Sequence, residues 1–112
     1  MASHSFTKRE RLRKSREFLL TRNEGRRLKT KSFILYIRHN ELKITRLGLS
    51  VSSKVGGAVR RNRIKRLLRE VFRQNKALFP PSTDVMIIAK RGMTLRSYDE
   101  VEGEFRTLFK GQ

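Results

Sequence analysis

The 112-residue sequence contains no cysteine and no tryptophan, and only two histidines and two prolines. Without cysteine the chain cannot form a disulfide framework, a thiolate zinc site or a cysteine nucleophile. The two histidines, His4 and His39, argue against a histidine-based metal site. No apolar run approaches the roughly 20 residues of a membrane span, and no apolar stretch follows the basic start. We therefore expect a cytoplasmic protein with no membrane contact.

Acidic residues are also scarce. Ten Asp and Glu stand against 28 Lys and Arg, which gives a formal charge of +18. Such a charge repels itself unless a polyanion lies beside it, and nucleic acid is the commonest polyanionic partner. The hydrophobic share of 37% still allows one modest core. The composition thus predicts a small folded domain that binds nucleic acid.

The apolar periodicity predicts alternating helices and strands in a single α+β domain over 1–112, with about residues 1–6 frayed. Ser15 is predicted to cap the first helix and Gly25 to end it. The first two long strands are predicted to pair as an antiparallel hairpin. The predicted elements are helices over 15–24, 58–76 and 97–109, strands over 33–37, 46–52 and a central 84–89, with room for a short strand at 26–29.

The predicted helix over 58–76 has two contrasting faces. Its apolar residues share one face: Ile64, Leu67, Leu68, Val71 and Phe72. The opposite face carries Asn62, Arg66, Arg69 and Arg73, flanked by Lys65 and Lys76. An ordinary solvated face mixes charges of both signs, whereas these arginines repel one another in isolation. The pattern therefore favours a phosphate-binding face.

Little in the sequence indicates catalysis by the chain itself, and we predict no catalytic residue. Gly56 and Gly57 before the basic helix permit a close backbone approach, but they match neither a P-loop nor a dinucleotide fingerprint. Asp99 and Glu100 point to different faces of the last helix, and His39 lies in a predicted turn.

A family resemblance adds to this interpretation. The segment Gly48–Glu70, GLSVSSKVGGAVRRNRIKRLLRE, resembles the signature of the protein subunit of bacterial ribonuclease P, with Arg61-Asn62-Arg63-Ile64-Lys65-Arg66 supplying its hallmark motif. RLRKSREF, Gly25, FILY and DVMIIAKRG also follow the family's order. The resemblance implies an α-β-β-β-α-β-α sandwich of the ribosomal protein S5 domain 2-like type, with a left-handed β-α-β crossover.

The resemblance also implies a function. The chain would be the accessory subunit of an endoribonuclease that removes the 5′ leader from precursor tRNA. The RNA subunit and Mg²⁺ would perform the hydrolysis, with one protein per RNA, and no residue is assigned as a Mg²⁺ ligand. The residues implied to bind the RNA subunit are Arg61, Asn62, Arg63, Lys65, Arg66, Arg69 and Arg73. Arg61 and Arg63 lie at the flanks of the helical face, so either could instead hold the strand–helix loop.

A second implied surface is a cleft between the sheet and the first helix, which receives the leader of precursor tRNA. Its predicted residues are Phe18, Arg22, Tyr36, Ser50, Ser52 and Lys54. Arg22 stands where many relatives carry a second aromatic residue, four positions after Phe18. The alternatives are a structural RNA-binding protein such as a ribosomal protein, or a DNA-binding regulator. A ribosomal protein would have no reason to carry Arg-Asn-Arg beside an aromatic cleft. A DNA-binding regulator would need a helix-turn-helix, and the sequence shows no such pattern.

Overall fold

The structure, a computed structural model, describes residues 6–91, 93 and 97–110. Every helix and strand predicted from the periodicity is present, including the optional short strand. The elements in chain order are α1 (Ser15–Glu24), β1 (Arg26–Lys29), β2 (Phe33–His39), β3 (Arg46–Ser50), α2 (Ala58–Gln74), β4 (Thr83–Ala89) and α3 (Tyr98–Lys110). Short 3-10 turns at Lys8–Glu10 and Lys76–Leu78 complete them. None of the described helices is long and apolar enough to cross a membrane.

The four strands form one mixed sheet in the order β1-β2-β4-β3. The predicted hairpin between β2 and β3 is wrong, because β4 lies between them, antiparallel to β2 and parallel to β3. Being apolar on both faces, β4 is most stable as a central strand, and α2 supplies the crossover that a parallel neighbour needs. The register also places Asp84 between Arg38 and Arg46. The left-handed sense of the crossover stays a prediction.

One face of the sheet packs against α2 and α3 and forms the core. Alternate strand residues point into it, among them Phe33, Leu35, Leu47, Val85 and Ile87, which are almost fully buried. The predicted apolar face of α2 is confirmed, with Leu67 partly buried and its other four residues buried. The rings of Phe33, Phe72, Phe79 and Phe105 meet at centroid distances of 5.0–5.9 Å.

Helix α1 packs on the opposite face, over β2 and β4. The predicted Ser15 cap is wrong by one position, because the helix already includes Ser15 and the N-cap is Lys14, whose side chain makes no capping hydrogen bond. Gly25 ends the helix as predicted. Its φ is −79°, so its backbone is not in the left-handed region that favours glycine. The glycine is needed because a Cβ at this position would collide with the carbonyl oxygen of Thr21.

Residues 6–14, here called the N-terminal strap, run along the free edge of β3. The Leu12 amide donates to the Leu47 carbonyl oxygen at 2.9 Å. At one end the Phe6 ring packs edge-on against Phe72, so this residue of the predicted frayed stretch 1–6 is anchored, while 1–5 lie outside the described residues. The strap therefore links the α2 side of the sheet to α1.

A half-buried ion pair anchors the strap to the 3-10 turn that follows α2, where Lys76 Nζ lies 2.7 Å from Glu10 Oε2. Burial raises the pKa of the Glu10 carboxyl, but hydrogen bonds from Lys76 and Thr7 outweigh burial and leave the pKa below its ordinary value of 4.5. A lowered pKa in the folded state means that this carboxylate stabilises the fold at neutral pH.

Candidate RNA-binding surfaces

The basic face of α2 turns away from the core, as predicted. Asn62, Arg63, Arg66 and Arg69 are exposed and Lys65 is half-buried. Among the described residues, no acidic side chain pairs with any of these five. The N-terminal half of α2 therefore presents positive charge on successive turns with no acidic partner, which suits it to binding phosphate groups.

Two predicted members of this face have partners within the protein. Arg61 Nε donates to the Gly56 carbonyl oxygen at 3.2 Å, so Arg61 holds the strand–helix loop, which is one of the two roles that its position at the flank of the helical face allowed. Arg73 Nη2 lies 2.7 Å from Glu70 Oε1, one turn away on the same helix. Hydrogen bonding to Arg73 lowers the pKa of Glu70, so the pair is charged at neutral pH. Arg61 and Arg73 therefore present less free charge than their neighbours.

Arg60, which positions the loop before α2, was not identified from the sequence. Its Nε donates to the Val55 carbonyl oxygen at 3.1 Å and its Nη2 to the Met93 carbonyl oxygen at 2.6 Å. Its side chain also crosses Gly56, where a Cβ would collide with Arg60 Cδ and where the φ of +157° is one that other residues rarely adopt. Arg60 precedes Ile64 by four residues and so lies on the apolar face of α2. A charged residue on that face was the signal that could have revealed its structural role.

The predicted cleft lies between α1 and the sheet. The Phe18 ring covers Gly48 so closely that a Cβ at position 48 would lie 2.7 Å from Phe18 Cε1. Phe18, Arg22 and Ser50 line one open cavity of about 380 Å³, together with Met86. Tyr36 is the registered neighbour of Met86 on β2 and points to the same face of the sheet. Four of the six predicted leader residues thus share one surface.

Ser52 and Lys54 lie apart from the cavity, in the exposed turn that follows β3. The Lys54 amide donates to Ser52 Oγ at 3.3 Å, so the serine hydroxyl helps to close this turn. The turn leads directly into α2. Both residues are therefore better placed at the border between the cleft and α2 than inside the cleft.

A charged network fixes α1 on the sheet and so sets the width of the cleft. Asp84, with a side chain only 1% exposed, accepts hydrogen bonds from Arg46 Nε and Nη2, both at 2.8 Å. Arg46 Nη1 also donates to Glu17 of α1 at 2.8 Å, and Arg38 Nε donates to Glu24 at 3.1 Å. Hydrogen bonding to Asp84 raises the pKa of Arg46 above its ordinary value. Two glutamates of α1 are thus held by arginines of the sheet.

A groove of about 320 Å³ joins the cleft to α2. Phe18 and Gly48 line it on the cleft side, Lys65 and Arg69 on the α2 side, and the strap closes it with Arg11 and Arg13. The described residues contain no cluster of three acidic or histidine side chains able to hold a metal ion.

Comparison with known proteins identifies the family. The Ribonuclease P family model matches residues 6–111. The chain belongs to the ribonuclease P protein family. It is 44% identical over 108 residues to the "Ribonuclease P protein component" of Syntrophus aciditrophicus, covering 96% of this chain and 91% of that relative. It is also 44% identical to that of Thermotoga maritima over 92 residues, covering 82% and 79%.

Solved ribonuclease P proteins share the fold. The Thermotoga maritima protein superposes with a TM-score of 0.82 at 36% identity, covering 92% of this chain and 97% of that one. The Staphylococcus aureus protein gives 0.80 at 30% identity, covering 90% and 93%. The resemblance found in the sequence is confirmed, and none of these proteins supports the ribosomal alternative. Family membership makes this chain an RNA-binding subunit associated with a tRNA-processing endoribonuclease.

Proposed function

We propose that the chain binds the ribonuclease P RNA through the exposed face of α2 and holds the 5′ leader of precursor tRNA in the cleft beside α1. The observation that supports this proposal is the placement of the two surfaces. One continuous groove, lined by Phe18 from the cleft and by Lys65 and Arg69 from α2, connects them. RNA bound to α2 and a strand bound in the cleft would therefore be held at one side of the domain.

The α2 face is suited to a structured RNA. Arginine binds phosphate bidentately, and each contact releases counterions, so affinity is expected to fall steeply with salt. Arg63, Arg66 and Arg69 are exposed without a protein partner among the described residues. The loop before them is held by Arg60 and Arg61, so this end of the helix is presented in one orientation.

The cleft is suited to an unpaired strand. Aromatic faces stack on unpaired bases with little dependence on sequence, as a varied leader requires. Phe18 lies over Gly48, and Ser50 offers a hydroxyl beside it. Arg22, one turn after Phe18, lines the same cavity and provides a guanidinium in place of a second ring. Guanidinium planes also stack on bases, so this substitution is compatible with the role.

Hydrolysis is proposed to belong to the RNA subunit, with Mg²⁺, in a cytoplasmic particle containing one protein per RNA. The chain's own candidates are poorly placed. His39 and Ser50 lie at opposite ends of β4, aligned with Thr83 and Ile88, which separates them by about 16 Å along the strand. Glu100 accepts a hydrogen bond from the Ser97 amide at 3.0 Å and so serves the start of α3.

The test is cleavage of precursor tRNA by the protein-free ribonuclease P RNA at low Mg²⁺ concentration, with and without the chain. The chain should raise cleavage, and a ribosomal protein should not. Phe18→Ala or Tyr36→Ala should weaken precursor binding by about 1–3 kcal/mol and leave mature tRNA binding unchanged, because mature tRNA has no leader.

A matched control is Phe109→Ala, a half-buried ring on α3 at the other side of the sheet, 5.2 Å from the Phe79 ring. It should lower the melting temperature without changing the ratio of precursor to mature affinity. Equal losses for both tRNA forms in the Phe18 and Tyr36 variants, with a large fall in melting temperature, would mean that these rings serve only the packing of α1 on the sheet.

A further inference from the structure

Besides the groove beside α2, a second basic cavity lies where the strap meets the start of α1. Its volume is about 420 Å³, and it is separate from the leader cleft. We call it the strap pocket. Five of its lining residues are cations of the strap: Lys8, Arg9, Arg11, Arg13 and Lys14.

The charge of the strap pocket is not compensated within the protein. Its one lining carboxylate, Glu17, is already bonded to Arg46, which also lines the pocket. The nearby Glu10 is bonded to Lys76 instead. Among the described residues, none of the five strap cations pairs with an acid, and Arg11 alone makes a contact of another kind, over the Phe6 ring at 5.0 Å. Such crowding is repulsive unless an anion is bound.

The start of α1 adds to this imbalance. The first amide groups of a helix have no carbonyl partner within it, and the positive end of the helix dipole favours anions there. Ten-residue α1 instead has Lys14 at its N-cap, without a side-chain capping bond, and Arg16 in its first turn, where the one acid, Glu17, is already bonded to Arg46. Cations at this end oppose the dipole, and a bound anion would satisfy both the amides and the cations.

We propose that the strap pocket binds backbone phosphates of RNA, as a contact surface additional to α2 and the cleft; this inference rests on the proposed function. Arg11 and Arg13 line both the strap pocket and the groove beside Lys65 and Arg69. Positive charge therefore continues from α2 across the strap to the start of α1. This continuity favours the RNA subunit as the source of the phosphates.

The test variant replaces Lys8, Arg9 and Lys14 together by Gln. These three side chains are exposed and lie outside the groove, so α2 and the cleft are left intact. Affinity for the RNA subunit should fall at least tenfold, and the log–log salt slope should become shallower by about one to three units. The melting temperature of the free protein should stay the same or rise, because the substitutions relieve repulsion at the helix start.

The matched control replaces Lys43, Arg91 and Lys110 together by Gln. These residues are also exposed, and the change in net charge is the same, but none of them lines the strap pocket. The control should therefore show only the small loss that comes from lower net charge.

Three binding measurements distinguish the source of the phosphate: the RNA subunit alone, and the holoenzyme with precursor or with mature tRNA. A loss specific to the strap variant with the RNA subunit supports the inference with that RNA as source. A specific loss only with the tRNAs supports it with tRNA as source. A strap variant that matches the control in all three overturns the inference alone. A wild-type chain that neither binds nor activates the RNA would overturn the proposed function, and this inference with it.

Discussion

Gly48→Ala places a methyl group directly against the ring on which the leader cleft depends. The new Cβ would lie 2.7 Å from Phe18 Cε1, 2.9 Å from Phe18 Cζ and 3.1 Å from Leu12 Cβ. Carbon atoms in comfortable contact are about 3.5–4.0 Å apart, so the ring must move by about 1 Å. Gly48 is an ordinary strand residue, so the alanine backbone itself is unstrained. The substitution therefore acts mainly by displacing Phe18.

The expected magnitudes follow from this geometry. Overpacking by one methyl group costs about 1–3 kcal/mol of unfolding free energy. A domain of 112 residues has an unfolding entropy of about 0.24 kcal/mol/K, so the melting temperature should fall by about 4–13 °C. Base stacking on an aromatic ring contributes about 1–3 kcal/mol. If stacking on Phe18 is lost completely, the affinity for precursor tRNA should fall by about 5- to 160-fold.

The assay is a double-mutant cycle with Gly48→Ala, Phe18→Ala and their combination, measuring holoenzyme affinity for precursor and mature tRNA. Gly48→Ala should weaken precursor binding in the wild-type background and change it little once the ring is gone. Gly103→Ala is the control, because a Cβ there meets nothing within 4 Å and lies on α3. An equal effect of Gly48→Ala on both tRNAs, or an unchanged penalty without the ring, would refute the reasoning.

The remaining predictions concern the other elements. Arg66→Ala combined with Arg69→Ala should weaken RNA-subunit binding and flatten its log–log salt slope by somewhat under two units, without lowering the melting temperature; an unchanged slope would contradict the assignment. Asp84→Ala should lower the unfolding free energy measured in urea by up to about 3–5 kcal/mol, because it removes the buried carboxylate shared by Arg46 and Arg38 and leaves these arginines only Glu17 and Glu24; a loss below about 1 kcal/mol would contradict this. Glu10→Gln should cost about 1–2 kcal/mol at pH 7. Since the folded pKa of Glu10 is lowered, this difference should persist above pH 4.5 and vanish in acid, whereas a difference independent of pH would exclude the Glu10–Lys76 pair as its cause.

The amino-acid sequence determined the elements and the character of α2, because these depend on residues close together in the chain. Apolar residues spaced by about 3.6 positions define the buried face of α2 wherever the helix packs, and the arginines then necessarily face outward. Phe18 and Arg22 share a face of α1 for the same reason. The net charge of +18 likewise indicated a polyanionic partner without any tertiary information. The family motif at 61–66 is also a local feature of the chain.

Only the tertiary structure decided the order of the strands and the composition of the surfaces. The sequence could not show that β4 separates β2 from β3, since pairing depends on how distant apolar strands bury both of their faces. That register brings Tyr36 to the face shared by Phe18 and Ser50, and it seats Asp84 between two arginines. The position of the strap could not be predicted from the sequence either, because the residues that anchor it, Phe72 and Lys76, lie more than 60 positions away in the chain. The cleft, the groove and the strap pocket therefore form only when segments remote in sequence pack together, although the chemistry of each residue that lines them can be recognised in the sequence.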